Sequence, residues 1–332
     1  MTLVQAGRAA GLRAWAAAAL TAVLLTAACG GSSTSSSSGS SGSGPEKTHL
    51  TVGALPVVDD APLFLAIKNG YFKQEGLTVK PEIIPQSTLA LPDLLHGTID
   101  IIGSGNYVSY FEGQAQHTFS VRVLVAAAAC TTNSFSILAL PSSHITGPAG
   151  LKGKTIAVNL TNNIQTLTTN AVLQAAGVAP SSVRYVAIPF PNMAAALKAH
   201  RVSAISVVEP FLTGAEQSIG ATPVMSECSG TTANFPLSGY FATQQWTQKY
   251  PKTARAFQRA MAKAQALATS DPAAVKQILP TYTKISAAAA QHIALNSFPA
   301  TTNATDLQRV ANLMLTGGLL KSRLNVQTML FH

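Results

Sequence analysis

Residues 49–72 read HLTVGALPVVDDAPLFLAIKNGYF. The alternating, β-rich segment His49–Leu55 predicts a strand. The segment Pro62–Tyr71 places its apolar residues at helical spacing, with Gly70 near the stop, and therefore predicts a helix. A strand that is followed at once by a helix is the repeating unit of an α/β fold.

The same order of elements recurs along the chain. Further strands are predicted at Leu77–Pro85, Ile99–Gly103, Val121–Ala128, Ser136–Leu140, Lys154–Val158, Val183–Ala187, Ser203–Val208 and Thr222–Met225. Helices are predicted between them at Leu89–His96, Tyr107–Gly113, Gln165–Ala176, Met193–Ala199 and Pro210–Gln217. Pro236–Thr243 is predicted to be extended, and the remainder mostly helical. The alternation implies parallel α/β sheets, and two successive α/β units with a helical tail indicate two lobes.

The N-terminus predicts export. Arg8 and Arg13 precede the apolar run Trp15–Ala28, which is shorter than the about 20 residues of a transmembrane helix. A charged start, a short apolar core and small residues before a cut site describe a secretory signal peptide, here residues 1–28. Cys29 follows, and residues 30–44 are almost purely Gly and Ser, so we assign residues 29–48 to a flexible tether.

The segment around Cys29 resembles the lipobox of bacterial lipoproteins, which are cut before a cysteine that carries a diacylglycerol. Thr26 stands where these proteins prefer Leu, and an ordinary secretory signal that contains a cysteine is the alternative. The tether favours lipidation, because an anchored domain needs a flexible link. The resemblance implies a lipid on Cys29 and a location at the extracytoplasmic face of the cell membrane.

The composition is that of a globular protein. Charged residues make up 11% of the chain and hydrophobic residues 47%, which excludes a disordered chain. Part of the net charge of +9 is gathered in Lys249, Lys252, Arg255, Arg259 and Lys263, at helical spacing. This pattern predicts a solvated helix face. We expect no nucleic-acid partner, because no recognised binding motif accompanies these residues in a chain that is exported.

Several collinear segments carry a family resemblance. They are Leu50–Gly53, Asp60–Ala66, Asn69–Phe72, Glu75–Val79, Leu95–Asp100, Leu151–Val158 and Ala204–Phe211. In order and spacing they resemble the nitrate, sulfonate, taurine and thiamine-pyrimidine binding proteins of ABC importers, the SsuA-like family. Each motif alone is weak, whereas their collinearity over nearly all of the chain after the signal peptide is specific.

The resemblance implies a periplasmic-binding-protein-like fold, with two α/β lobes, a hinge and a ligand cleft between the lobes. Lobe I would comprise residues 49–130, lobe II residues 131–228, and residues 229–332 would return to lobe I. The implied function is capture of a small organic nutrient and its delivery to an ABC transporter permease. We expect a monomer without a cofactor or a metal.

The candidate ligand-binding residues lie in loops at the predicted cleft, because ligands of open α/β sheets bind outside the carboxyl ends of the strands. They are Asp59, Asp60, Ser104, Asn106, Tyr107, Thr132, Asn133, Asn162, Asn163, Phe190, Asn192, Glu209 and Tyr240. For Ser104, Asn162 and Asn163 a plain helix-capping role is the alternative, and for Phe190 a place in the core.

The charge of these loops bears on the ligand. They contain no Lys or Arg, whereas Asp59, Asp60 and Glu209 are acidic and aromatic residues lie nearby. Carboxylates and aromatic faces together suit a neutral or cationic heterocycle, such as a thiamine-pyrimidine precursor, with Glu209 or Asp60 accepting its amino hydrogens. The alternative is a sulfonate, nitrate or taurine ligand that helix N-termini hold.

An enzyme is the rival class, since fungal thiamine-pyrimidine synthases share the implied fold. Those enzymes bind iron through a dense run of cysteines, whereas this chain has only Cys29, Cys130 and Cys228, far apart. The sequence also lacks a Gly-x-Ser-x-Gly elbow and a His-Glu-x-x-His helix, and its histidines stand singly. We therefore expect no enzymatic activity. A structural or signalling lipoprotein remains an open alternative.

In the implied two-lobe topology, Cys130 lies where the chain leaves the first lobe and Cys228 where it returns. Exported proteins permit disulfides, and with Cys29 lipidated the two remaining thiols form a pair. We expect a Cys130–Cys228 disulfide. Two free buried thiols are the alternative, because cysteine also packs as a small hydrophobic residue.

Overall fold

The computed structural model describes residues 44–332. The signal peptide, Cys29 and the tether up to Ser43 lie outside the described residues. Packing already begins at Glu46, whose carboxylate accepts the backbone N–H of Thr253 at 2.9 Å. Lys47 follows with an ion pair of 2.5 Å between its Nζ and Asp100. The folded unit therefore reaches back into the segment that we assigned to the tether.

Within residues 44–332, ten strands form two sheets. In chain order they are β1 (His49–Ala54), β2 (Thr78–Ile83), β3 (Ile101–Asn106), β4 (Val121–Ala129), β5 (Phe135–Ala139), β6 (Thr155–Val158), β7 (Arg184–Ala187), β8 (Ala204–Val208), β9 (Thr222–Ser226) and β10 (Pro236–Thr243). The first sheet has the order β2-β1-β3-β10-β4, and the second the order β7-β6-β8-β5-β9. The chain therefore builds most of the first sheet, then the second, and returns to the first with β10.

Both sheets are mixed, which corrects the expectation of parallel sheets. β10 is antiparallel to β3 and β4, and β5 is antiparallel to β8 and β9, whereas β1 pairs parallel with β2 and β3. β5 and β10 are the strands that the chain enters after crossing from the other sheet. They begin at the edge where the neighbouring strands end, so they run in the opposite direction.

The helices flank these strands. They are α1 (Ala61–Lys68), α2 (Tyr71–Gln74), α3 (Leu91–His96), α4 (Tyr107–Ala115), α5 (Ile164–Ala175), α6 (Phe190–Lys198), α7 (Phe211–Ile219), α8 (Gln244–Lys249), α9 (Pro251–Ser270), α10 (Pro272–Ile278), α11 (Ala287–Ala290) and α12 (Ala304–Thr316). Short 3-10 turns lie at Val58–Asp60, Pro141–Ser143, Pro148–Leu151, Pro180–Ser182, Gly230–Thr232, Leu279–Thr281 and Val326–Met329. Across residues 44–332, no helix has the length and apolar character that crossing a membrane would require.

The single helix predicted over Pro62–Tyr71 is two helices. α1 ends at Lys68 and α2 begins at Tyr71, because Gly70 between them adopts a φ of +70°. Glycine reaches this left-handed region without the steric cost that a Cβ atom imposes. The apolar spacing therefore continues through a turn that interrupts the hydrogen-bonded helix.

The core of the first sheet is covered by α1 and α9. Leu50 and Val52 of β1, Leu63 of α1 and Phe257 of α9 belong to one buried apolar cluster. The opposite face of α9 is exposed and basic, and its Arg259 and Lys263 both pair with Glu75, at 2.7 and 3.1 Å. The prediction of a solvated basic face is confirmed for the residues of α9, whereas Lys249, predicted on the same helix, is the last residue of α8.

The two crossings between the sheets run side by side. Cys130, just after β4, donates its backbone N–H to the carbonyl of Phe235, just before β10, at 2.9 Å. Cys130 and Cys228 are paired as a disulfide with their Cα atoms 5.8 Å apart. The lobe boundaries at residues 130 and 228 stay a prediction. The division of the strands between the two sheets agrees with them.

Candidate functional site

A cavity of about 50 Å³ lies where strand ends of the two sheets meet. Its apolar wall includes Leu55, Val57, Phe135, Phe190 and Val208. The first sheet and its loops contribute the polar residues Asp59, Ser87, Ser104, Asn106 and Ser238. The second sheet and its loops contribute Asn159, Asn163 and Gln165. This is the crevice at the carboxyl ends of the parallel strands, where α/β sheets bind ligands.

Asp59 is the ionisable side chain of the cavity wall. It lies in the 3-10 turn between β1 and α1 and is 5% exposed. Ser238 Oγ donates to its Oδ2 at 2.5 Å, and Asn296 Nδ2 donates to its Oδ1 at 2.6 Å. Burial raises the pKa of Asp59, although these two hydrogen bonds oppose the rise. No Lys, Arg or His within the described range lines the cavity.

Asp60 lies behind the cavity and holds the preceding loop. Its Oδ2 accepts the backbone N–H of Leu55 at 2.7 Å, and burial raises its pKa to about 7. A Cβ atom at Gly103 would stand 2.6 Å from Asp60 Oδ1 and 2.8 Å from Tyr240 Cε1. Glycine at position 103 therefore allows this buried carboxyl to pack against β3.

Ser104 faces the cavity from a strained backbone. It adopts a φ of +47° between two glycines, in the left-handed region that a residue with a Cβ atom rarely occupies. Its side chain is 4% exposed, and within residues 44–332 its Oγ makes no hydrogen bond of standard geometry, although it lies close enough to the Asp60 carboxyl to lower the pKa of Asp60. Unlike Ser104, Asn106 is a helix cap, since its Oδ1 accepts the N–H of Ser109 at 3.0 Å at the start of α4.

An array of amides forms the wall on the second sheet. Gln165 Oε1 accepts the backbone N–H of Asn159 at 2.6 Å and the Nδ2 of Asn163 at 2.8 Å. Asn163 Oδ1 caps α5 by accepting from the N–H groups of Gln165 and Thr166. Gln165 is therefore a positioning residue, because it fixes the loop and the helix start that contact the cavity.

A buried carboxyl supports this array from the far side. Gln165 Nε2 donates to the carbonyl of Ser206 at 2.7 Å, and Ser206 Oγ donates to Glu227 Oε2 at 2.7 Å. Thr168 and Thr169 donate to Glu227 Oε1 at 3.1 and 2.5 Å. Burial raises the pKa of Glu227 to about 8 despite these three donors. A chain of hydrogen bonds thus links the cavity wall to the residue that precedes Cys228.

Two contacts close the cleft beside the cavity. Gln86, which follows β2, donates its Nε2 to the backbone carbonyl of Asn159, which follows β6, and to Asn159 Oδ1 at 3.2 Å. Val58 donates its backbone N–H to the carbonyl of Glu209 at 3.1 Å. Each contact joins a loop of the first sheet to a loop of the second, so the two sheets touch directly beside the cavity.

Phe190 combines both roles that its sequence left open. It is 8% exposed, lines the polar cavity and stacks on Phe211 with ring centroids 5.3 Å apart. A second, apolar cavity of about 140 Å³ adjoins it and contains Met193 and Lys284 in its wall. Phe190 is therefore a core residue whose ring separates two cavities.

Of the predicted ligand-binding residues, the structure brings Asp59, Ser104, Asn106, Asn163 and Phe190 to the cavity. Glu209 is outside it, which corrects its expected role. Its carboxylate accepts from the N–H and Oγ1 of Thr213, at 3.1 and 2.7 Å, and from the N–H of Ala294 at 3.2 Å. Glu209 thus ties the start of α7 to the C-terminal segment.

The other predicted residues are either behind the cavity wall or outside it. Like Asp60, Tyr107 and Tyr240 are fully buried and absent from the wall, and a Cβ at Gly239 would stand 2.8 Å from Tyr107 Oη. Four further predicted residues are exposed to solvent and lie outside the cavity wall: Thr132, Asn133, Asn162 and Asn192. A strand end in the sequence indicates the correct edge of a sheet, whereas it does not indicate which side of a loop faces inward.

Sequence reasoning missed several residues of the site. Ser87 and Gln165 line the cavity, and Asn296 holds Asp59 across 237 positions of sequence. Gln165 had a signal, since it closely follows the capping residue that opens α5. Asn296 had none, because an isolated Asn in a loop gives no indication of a partner so far away in the chain.

Comparison with protein families gave a match to one family model. The model described as the NMT1-like family matches residues 43–281. A comparison with curated protein sequences found no match.

Solved structures with this fold include several binding proteins. The alkanesulfonate-binding protein SsuA from Xanthomonas axonopodis pv. citri, bound to MOPS, has a TM-score of 0.72 at 18% identity, covering 86% of this chain and 98% of that chain. The periplasmic nitrate-binding protein NrtA from Synechocystis PCC 6803 has a TM-score of 0.73 at 16% identity, covering 86% of this chain and 85% of that chain. At these identities the likeness shows the fold.

A third similar structure is the ligand-binding component of an ABC-type import system from Staphylococcus aureus, with zinc bound. It has a TM-score of 0.74 at 14% identity and covers 86% of this chain and 96% of that chain. In residues 44–332 of the present chain, no group of three or more His, Cys, Asp or Glu side chains is placed to hold a metal ion.

Proposed function

Because this chain belongs to the NMT1-like family, we propose that it is an extracytoplasmic solute-binding protein of an ABC importer. It captures a small organic nutrient between its two sheets and delivers it to a permease. The observation that carries the proposal is the cavity at the strand ends, with polar groups from both sheets around a small closed volume. Contributions from both sides couple ligand binding to closure of the cleft, as in periplasmic binding proteins.

The proposed ligand is a neutral or cationic heterocycle, such as a thiamine-pyrimidine precursor. Seven of the fifteen residues of the cavity wall are apolar and suit a ring. Asp59 is the acidic residue of this wall. A thiamine-pyrimidine synthase is disfavoured because its run of cysteines is missing from the sequence. The protein therefore acts by binding and release, without a cofactor and without chemistry on the ligand.

A sulfonate, nitrate or taurine ligand is the second candidate. The solved structures named for alkanesulfonate and nitrate binding share the fold, and amide groups of Asn106, Asn159 and Asn163 reach the cavity wall. Such amide donors hold an anion without a basic side chain. The proximity of Asp59 opposes an anion, and this is why the heterocycle ranks first.

A thermal-shift experiment tests capture in this cavity. We expect an aminopyrimidine, taurine or nitrate to raise the melting temperature of the purified protein by several degrees at saturation, because a ligand that binds the native state stabilises it. Val208→Phe should abolish this response, since Val208 is half-buried on the cavity wall and a phenyl ring would fill a volume of about 50 Å³.

Val186→Phe is the matched control, because Val186 is an exposed valine of the edge strand β7, outside the cavity. It should respond to ligand as the wild type does. The proposal is wrong if no member of the panel stabilises the protein, or if Val208→Phe still responds like the wild type. Release of a chemically altered ligand would instead support an enzyme.

We further propose that Cys29 carries the lipid that holds the protein at the extracytoplasmic face of the membrane, where it meets the permease as a monomer. Cys29→Ala should move the protein from the membrane fraction to the soluble exported fraction, which immunoblotting of fractionated cells would measure. Ser33→Ala, in the same Gly/Ser segment, is the control and should stay with the membrane. Retention of the Cys29→Ala protein in the membrane fraction would contradict the anchor.

A further inference from the structure

We propose that Asp59 is the anchor for a positively charged nitrogen of the ligand, so that this site selects amines and protonated heterocycles. The inference rests on the proposed function, because it concerns the same cavity. From the sequence, Glu209 or Asp60 was expected to accept the amino hydrogens of the ligand. Both carboxylates hold protein groups outside the cavity wall, so we assign this role to Asp59.

The carboxylate of Asp59 is held rigidly and still has capacity to accept. Ser238 and Asn296 each donate one hydrogen bond, one to each oxygen. An ionised carboxylate accepts about four hydrogen bonds, so these donors do not saturate it and a donor from a ligand can be added. Fixed in this way, the group loses little side-chain freedom when a ligand arrives, which favours strong binding.

Within residues 44–332, no basic side chain pairs with this carboxylate. The cavity wall contains no basic residue in the described part of the chain, and Asp59 makes no ion pair there. A buried charge without a partner is unfavourable, and a ligand cation would remove that cost. This difference in energy between the empty and the loaded site is what would make the site select positive charge.

Ser104 is a second, independent indication of a ligand at this position. Ser104 lines the same cavity as Asp59, and within residues 44–332 its buried Oγ makes no hydrogen bond of standard geometry, with the Asp60 carboxyl as its polar neighbour. Buried hydroxyl groups are normally hydrogen-bonded, so this Oγ has capacity to donate to or accept from a ligand group in addition to its contact with Asp60.

Acid should weaken the binding of a cation, because protonated Asp59 carries no charge. The titratable groups whose charge interacts with Asp59 are Asp60, Tyr107, Tyr240 and Tyr282, all buried. Of these, the three tyrosines keep their protons through the physiological range because burial raises the pKa of each. Asp60 is the remaining group that could contribute, so the comparison of variants must separate it from Asp59.

The test uses pairs of probes that differ only at the nitrogen. Taurine is compared with isethionate, and 4-amino-2-methylpyrimidine with 2,4-dimethylpyrimidine, by calorimetry on the purified protein between pH 5 and pH 8. We expect at least one amine to bind at least tenfold more tightly than its partner. If taurine is the preferred amine, its affinity should fall on acidification, because its ammonium stays charged over this range. Asp59→Asn should remove the preference for either amine and the pH dependence for taurine.

Asp306→Asn is the matched control, since it removes an equal charge from the exposed start of α12, and it should retain the preference. Ser104→Ala leaves Asp59 in place. It should lower the affinity for the preferred amine, by a smaller factor than Asp59→Asn does. Its melting temperature without ligand, like that of Asp59→Asn, shows whether the variant is folded.

Equal affinities within both pairs overturn the inference, as does a preference that survives in folded Asp59→Asn. If no amine binds while nitrate or isethionate stabilises the protein and Val208→Phe abolishes that response, the assignment of Asp59 is wrong and capture in this cavity stands. If no probe binds in the cavity, both the proposed function and the assignment of Asp59 are wrong.

Discussion

Replacing Cys130 and Cys228 together by alanine is expected to lower the free energy of unfolding by about 4 kcal/mol. The bridge closes a loop with a sequence separation of 98, and the chain-entropy model assigns about 4.7 kcal/mol to a loop of 100 residues. Both positions are buried, and alanine retains most of the small apolar volume. Urea denaturation followed by circular dichroism would measure the loss.

Reduction of the wild-type protein with a thiol reagent is the control, and it should reproduce the loss seen in the double variant. The single variants Cys130→Ala and Cys228→Ala should each lose as much as the double variant, because either one removes the whole bridge. Equal stability of the wild type and the double variant would contradict the prediction. So would alkylation of both positions in unfolded protein that had not been reduced.

The second large effect concerns Glu227 and pH. Its pKa in the folded protein is about 8, above the 4.5 of an unperturbed Glu. Between these values the folded state holds a proton that the unfolded state has released, so Glu227 makes stability fall as the pH rises from about 4.5 to about 8. Glu227→Gln resembles the protonated side chain and removes this fall, with a gain of about 5 kcal/mol at pH 9.

The measurement is the difference in unfolding free energy between Glu227→Gln and the wild type at several pH values. It should be near zero at pH 4.5 and grow to a plateau above pH 8. This subtraction cancels the contributions of Asp59, Asp60 and Glu209, whose pKa values burial also raises. Glu82→Gln, on the exposed edge strand β2, is the control for the removal of one carboxylate. A flat difference for Glu227→Gln would show that its carboxyl is ionised in the folded protein.

Local pattern was enough to predict the main elements of this fold. The alternation in residues 49–55 predicted β1, the apolar spacing after Asp60 predicted α1, and Pro236–Thr243 was correctly predicted to be extended. These features depend on neighbours within a few residues of each other. The order of strands and helices, together with the family resemblance, was enough to predict that the loops that carry Asp59 and Asn163 lie at the strand ends, where the cavity is found.

The tertiary structure alone decided which direction the crossing strands take and which polar groups face the cavity. Strand direction in β5 and β10 depends on where the chain enters each sheet, which no local spacing records. Asp59 and Glu209 are both acids in predicted cleft loops, yet only Asp59 faces the cavity, because Thr213 and Ala294 occupy the carboxylate of Glu209. Asn296 reaches Asp59 from 237 positions away. Such pairings follow from packing of the whole chain, so the sequence determined the elements and the cleft, while tertiary contacts determined its chemistry.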